Sequence, residues 1–452
     1  MVNQLEKIVL LFSFLLIIFS CSRENSGHNI PKKPLIKNED IVVKTLHYMD
    51  WMPLPELMST SYSEKRNSLI SNLERISASP TDELNLMSDN DLCWSILSYK
   101  FLFDYGFTTN ELSSKTLKDV NSIIIDLNNT NTGRAKKELE SKSIAVNLNI
   151  AYGWWFTKNP HTNNIINNLN SIENGNPIFA LKDNRGITMD VLRIVKADEE
   201  FMYLGVSHSM VEDGRFKLNL SGSNDLKKWI YITELGDRAH QGDIKKWGNG
   251  YLVANEQDIV QGSNNIQIRY YDSYDDLIIN NSSNNKSIAR SFAPTAEGTP
   301  DIQKIEGNSP SDSYILIGFH YYENIIHDQQ AFGILRNFND WKAWIDVVSN
   351  YNIQQMGFKG NIGARSSFNM DGDKILIEAQ ITSHDWSSWR ILFGNGAFYH
   401  QLNPKTANGS KSFANPGIVQ LDQNRFVVTN FMPSEGNNIL ETGQLLYSFQ
   451  LK

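Results

Sequence analysis

Three acidic residues stand at comparable places in successive stretches of this chain. Asp190 opens Asp190-Val191-Leu192-Arg193-Ile194, Asp243 lies in Gly242-Asp243-Ile244, and the third is either Glu297 in Glu297-Gly298-Thr299-Pro300 or Asp301 directly after it. Carboxylates gathered in this way suit chemistry at a sugar. One, ionised, activates water; a second, protonated, donates to the leaving oxygen; a third raises the donor's pKa by charge repulsion. Arg365, at the corresponding place in a fourth stretch, offers a guanidinium fork to a sugar hydroxyl or carboxylate, or pairs with one of the aspartates. His208, His240 and His320 fall near the same end. Their spacing matches no zinc motif, which leaves hydrogen bonding to substrate. The aspartates also admit a plainer reading, as strand-start caps repeated because the structure repeats. No Gly-rich phosphate loop, nucleophile elbow or clustered His/Cys ligand set is present, so nucleotide, serine-hydrolase and zinc chemistry are disfavoured and no cofactor is implied.

Those residues need a scaffold that brings distant segments together. From Asn176-Pro177 onward, short runs of β-branched and aromatic residues alternate with Gly, Asn and Asp turns. Five of them (Phe201 to Val206, Tyr251 to Ala254, Tyr314 to Phe319, Lys374 to Glu378 and Phe426 to Thr429) each follow a first strand and a tight turn such as Gly248-Asn249-Gly250 or Asp371-Gly372-Asp373. An Asp- and aromatic-rich echo recurs once per unit, at Ser223 to Trp229, Asp272 to Leu277, Asn337 to Trp341 and His384 to Trp389. Residues 186 to 452 thus divide into five units of roughly 53, slightly above the span of common blade repeats. The fold expected is mainly β, a five-bladed β-propeller over 180 to 452. A β-sandwich or jelly roll would share the short strands but not the repeat. The tryptophans of the echo read as blade packing rather than as platforms for sugar rings.

With these segments in order, the C-terminal part resembles the five-bladed propeller glycosidases, above all glycoside hydrolase family 43, related to family 32. Asp190 to Ile194 with Phe201 to Leu204 is similar to the first-blade Asp-Pro-x-x-Ile segment. Ser223-Asn224-Asp225-Leu226 with Trp229 is similar to a Ser-x-Asp-Leu-x-x-Trp signature, Gly242-Asp243-Ile244 to Ala-Pro-Asp-Ile, and Glu297-Gly298-Thr299-Pro300 to Glu-Gly-Pro. The resemblance implies Asp190 as general base, Asp243 as pKa modulator and orienter, and Glu297 as general acid. It implies an inverting reaction, with acid and base on the order of 6.5 to 9.5 Å apart, and a possible calcium ion in the channel. Val191 stands where the family has Pro, and Thr299 is inserted before Pro300. Glu297 is therefore the third carboxylate by family and Asp301 by internal repeat; Asp301, Arg365, His240 and His320 are expected to contact substrate.

The N-terminal part carries an address and a second domain. Lys7 precedes a twelve-residue run from Ile8 to Phe19 that only Ser13 interrupts, and Ile18-Phe19-Ser20-Cys21 resembles the bacterial lipobox. The reading is a signal peptide over 1 to 20 and lipidation at Cys21. A tether over 21 to 40 follows, placing the protein extracytoplasmically on the cell envelope, the outer membrane or cell surface favoured. Amphipathic spacing from 41 to 160, with a cap near Ser63, gives an α-helical domain that offers a face to a protein partner. Cys93 is the other of the two cysteines, so no intrachain disulfide follows lipidation. The net charge of −8 supplies no basic field for nucleic acid. Two functions compete: a surface-anchored glycoside hydrolase acting on a polysaccharide or oligosaccharide, and a non-catalytic glycan-binding or adhesion lipoprotein of an uptake system.

Overall fold

The computed structural model describes residues 38–129, 148, 150–153, 159–211, 213–260, 263–323, 327–370 and 373–451. The signal segment, Cys21 and the tether up to residue 37 lie outside them, as do residues 130–147, 149 and 154–158 of the helical domain expected over 41 to 160.

Five antiparallel sheets follow one another along the chain. They are β1 (Asp190–Lys196) to β4 (Ile230–Asp237) through β2 (Tyr203–Met210) and β3 (Phe216–Ser223); β5 (Ala239–Trp247), β6 (Gly250–Val260), β7 (Ser263–Tyr271) and β8 (Asn284–Ile288); and β9 (Glu297–Glu306), β10 (Tyr314–Glu323), β11 (His327–Arg336) and β12 (Asp340–Ile345). The last two are β13 (Ile362–Asn369), β14 (Asp373–Gln380), β15 (Trp389–Gly394) and β16 (Tyr399–Gln401), then β17 (Ala414–Gln420), β18 (Arg425–Met432) and β19 (Gly443–Gln450). The first strands touch in a ring, β1 to β5 to β9 to β13 to β17 and back to β1, which makes the chain a five-bladed β-propeller. The five apolar runs are the second strands. Their burial on both faces, between neighbouring blades, explains why they read as runs rather than as alternation. The fifth sheet has three strands of its own, and the segment before β1 completes it: Ile178 exchanges backbone bonds of 2.8 and 2.9 Å with Leu446, and the Leu181 amide donates to Gln444 at 3.0 Å. Residues from the start of the propeller thereby close it against its last strand.

One echo falls elsewhere than the repeat implies. Ser223 to Trp229, Asp272 to Leu277 and Asn337 to Trp341 lie around the third-to-fourth strand connections, whereas His384 to Trp389 lies between the second and third strands of the fourth blade. Its short polar-aromatic turn makes an equally good 3-10 connection there, with Asp385 capping Ser387.

The helical region precedes the ring and packs into it. The helix Tyr62–Ile76 starts at Ser61, two residues before the expected Ser63, because Ser61 and Glu64 form a reciprocal capping box. Ser88 caps Asp89–Tyr105, and Gly106 ends it in the left-handed conformation. Buried residues of the helical region, among them Leu46, Leu73, Leu97 and Leu102, form a single apolar cluster with Leu316, Phe332, Trp344, Phe393 and Phe426 of blades three to five. Tyr152 stacks on Phe398 with ring centroids 4.6 Å apart. A buried ion triad joins the two parts: Asp346 takes Lys44 of the helix Asn38–Tyr48 at 3.1 Å and Arg365 of β13 at 3.3 Å. Cys93 is buried in the helical part against Thr45, and burial pushes its thiol up to about 12, so it is inert.

Candidate functional site at the mouth of the ring

Each first strand carries an irregularity near the end where it begins, and its register fixes which residues are equivalent. Arg193 opposes Val206, Asp243 opposes Ala254, Asp301 opposes Gly318, Arg365 opposes Ile377 and Gly417 opposes Thr429. The residue that matches Asp243 and Asp301 is therefore Arg193. Asp190 lies three residues nearer the mouth, and its counterparts are His240 and Gly298. The spacing of aspartates in sequence conceals this because the irregular step is invisible without cross-strand partners.

The axial residues tie blade to blade. Asp243 accepts from its own neighbour Ile244 at 2.9 Å and from Ile302 of the third blade at 2.8 Å. Asp301 accepts from Ser367 of the fourth blade at 3.2 Å, the Ser366 hydroxyl from Ile418 of the fifth at 3.1 Å, and Thr429 donates to Leu192 of the first at 2.8 Å. Arg193 donates to Pro416 and, at 3.0 Å, to Arg365, filling the room left by Gly417, where a side chain would collide with Thr429. Burial raises the Asp243 carboxyl, and Asp301 adds to this against Lys245 and Arg193. Arg365 is 1% exposed, with its charge spent on Asp346. Both Asp301 and Arg365 are thus sealed into protein contacts.

Nearer the mouth, side chains of three blades form a more open cluster. Asp190 is directly cross-strand from His208, so their side chains share one face. Asp190 is half-buried and bonded to Thr188 at 3.3 Å, and desolvation pushes its carboxyl up to about 6. On the second blade His240 lies between Glu256, 3.4 Å from Nδ1, and Asp258, 3.2 Å from Nε2. Burial alone would lower the imidazole, but the two carboxylates outweigh it and raise it. On the third blade His320 Nε2 is 4.0 Å from both Glu256 and Asp328. Phe216 packs against both His208 and His240, at 4.9 and 5.0 Å between centroids.

A second regularity explains part of this cluster. The amide of Gln241, at φ 52°, donates to His208 at 3.1 Å; that of Thr299, at φ 46°, to Glu256 at 2.6 Å; and that of Asn415, at φ 47°, to Glu378. A side chain on one blade's second strand thus holds the left-handed residue of the next blade, a conformation costing on the order of 1–3 kcal/mol for Gln or Thr. Glu256 reaches Thr299 because Gly298 has no Cβ to block it. The fourth blade departs from this: its equivalent residue, Gly363, is not left-handed, the next amide, Ala364, donates to Glu378 of the same blade at 2.8 Å, and His320 Nδ1 is buried without a partner among the described residues. Burial pushes Glu378 up to about 7.

Glu297 is 2% exposed, and its Oε1 accepts the amides of Ser291 at 2.8 Å, Phe292, and Ala293 at 2.9 Å; burial nevertheless raises it. Among the described residues no group of three or more His, Cys, Asp or Glu side chains is arranged for a metal ion. Around the ring the axial positions are Arg193, Asp243, Asp301, Arg365 and Gly417, two carboxylates flanked by two guanidinium groups, so a channel calcium does not fit them. Sequence reasoning missed Glu256, Asp258, Asp328 and Glu378. The signal was present one or two places beyond the aligned apolar runs, where His208, Glu256 and His320 stand at one equivalent position.

No family model matches the chain, and no curated protein matches it. Among solved structures it is similar to a thermostable family-43 glycoside hydrolase, at 11% identity and a TM-score of 0.40, covering 60% of this chain and 92% of that one. A GH43 β-xylosidase/α-arabinofuranosidase from a compost microbial metagenome, in complex with xylotriose, is similar at 9% and 0.40, over 61% and 95%. An N-acetylgalactosamine deacetylase from F. plautii, in complex with blood group B trisaccharide, is similar at 10% and 0.39, over 60% and 91%. Likeness at this level carries no argument about chemistry.

Proposed function

We propose that the chain is a propeller glycoside hydrolase that cleaves a polysaccharide or oligosaccharide at the mouth of the ring, by inversion. Asp190 is its general base and Glu297 its general acid. The observation that carries the reading is Asp190: a half-buried carboxyl, raised to about 6, near the end where its strand begins. Such a group is ionised at neutral pH yet basic enough to take a proton from water. Glu297 is raised by burial, as an acid requires, and its amide bonds all end on one oxygen. Asp243, fixed by Ile244 and Ile302, acts as a standing charge that orients rather than reacts. The test is a screen of aryl glycosides, arabinoxylan and arabinan. Wild type should release sugar with inverted anomer and Asp190→Ala should not; equal activity in the two would remove the base. Lipidation at Cys21 belongs to the same reading, and Cys21→Ala should shift the protein out of the membrane fraction.

One observation favours the non-catalytic alternative. Asp243, Asp301 and Glu297 all accept backbone amides, as ring-building residues would. A wild type that binds glycans with no turnover on any substrate of the screen would decide for it.

A further inference from the structure

His208 differs from the other imidazoles of the mouth. Its Nδ1 accepts the Gln241 amide at 3.1 Å, which fixes one neutral tautomer and places the ring proton on Nε2. No described residue bonds Nε2, and that atom is not among the fully covered polar atoms left without a partner, although the residue as a whole is only 6% exposed. Its cross-strand neighbour on the same face is Asp190, and the ring is held in place by Phe216 edge-on at 4.9 Å and by His240 at 5.9 Å.

We propose that His208 is a specificity-determining residue, whose Nε2–H donor acts with the Asp190 carboxylate to read one hydroxyl of a neutral sugar. A hydroxyl both accepts and donates, and a fixed N–H on the same sheet face as a carboxylate offers both complements. A ligand carboxylate or sulfate could take the N–H but would meet Asp190 as a like charge, with Glu256 and Asp258 beyond it. Burial, helped by His240, pushes the His208 imidazole down to about 3, so it adds no positive charge to draw an anion at working pH. The inference rests on the proposed function for the site but not on turnover.

Two substitutions separate contact with ligand from support of the fold. In His208→Asn the amide oxygen stands near the place of Nδ1, keeping the Gln241 bond while removing the ε donor. In His208→Gln an amide N–H reaches the ε position and the δ acceptor is lost. Binding of xylotriose, arabinotriose and tri-galacturonic acid is measured by calorimetry, beside Tm. The wild type should bind at least one neutral trisaccharide, and bind it more tightly than the uronate. The Asn variant should keep the wild-type Tm and bind that sugar about tenfold more weakly, the loss of roughly one hydrogen bond. The Gln variant should melt earlier and bind within about threefold of wild type. Unchanged binding in the Asn variant, losses that follow Tm in both, tighter binding of the uronate, or no binding of either neutral sugar would overturn the assignment. Hydrolysis with unchanged KM in the Asn variant would remove this role and leave the hydrolase. Binding that behaves as stated without turnover would do the reverse.

Discussion

At the scale of single residues, Asp190 carries an unfavourable charge in the folded state. Its carboxyl titrates near 6, against about 3.9 in an unfolded chain. The stability it allows is fully present below about pH 3.9 and is lost as pH rises through about 6. Asp190→Asn should therefore melt above wild type at pH 8, and the two should coincide at pH 3.5; thermal melts across that range read it. A lower Tm for the Asn variant at pH 8 would show that the ionised carboxyl has a stabilising partner. Gain of stability with loss of function is the pattern of a group kept for chemistry. Asp243 and Asp301 differ, because each satisfies a backbone amide of the next blade. Asp301→Ala leaves the Ser367 amide without its acceptor and should cost ~1–3 kcal/mol in denaturant unfolding.

At the scale of elements, the irregular first strands decide what faces the mouth. Gly298→Ala would drive a methyl into the Glu256 carboxyl, which holds Thr299 by its amide and hydroxyl at 2.6 Å each. Chemical denaturation should show a loss of ~1–3 kcal/mol, with a near-native fold and a disturbed His240. These strands also set the limit of what was legible in the sequence. The five second strands could be read directly, since a strand covered on both faces is an unbroken apolar run. The mismatch of Asp190 with Asp243 could not, because the left-handed residue at Val191, Gln241 or Thr299 has no sequence signature when the residue is not Gly or Asn. The His384 to Trp389 echo misled for a related reason: polar-aromatic turns mark a connection without saying which connection. Glu256 lies far in sequence from Thr299, and only the missing side chain of Gly298 lets the two meet.

At the scale of the whole molecule, the helical region and the ring share one apolar core and the buried Lys44–Asp346–Arg365 triad. Arg365, expected at a ligand, instead links the axis of the ring to the helix Asn38–Tyr48. The two parts should unfold together, giving one calorimetric transition with equal calorimetric and van't Hoff enthalpies; two separated transitions would show the helices to be an independent module. The ring so supported holds open, at one end, a cluster drawn from three blades, and the central claim is that Asp190 in that cluster takes the proton of the attacking water. The most direct test is the pH dependence of kcat/KM on the best substrate of the glycoside screen, in wild type and Asp190→Asn. The wild-type rate should fall on the acid side with a midpoint near 6, and the Asn variant should lose ~10²–10⁴-fold at pH 7. An Asn variant with wild-type rate and an unmoved acid limb would contradict the account.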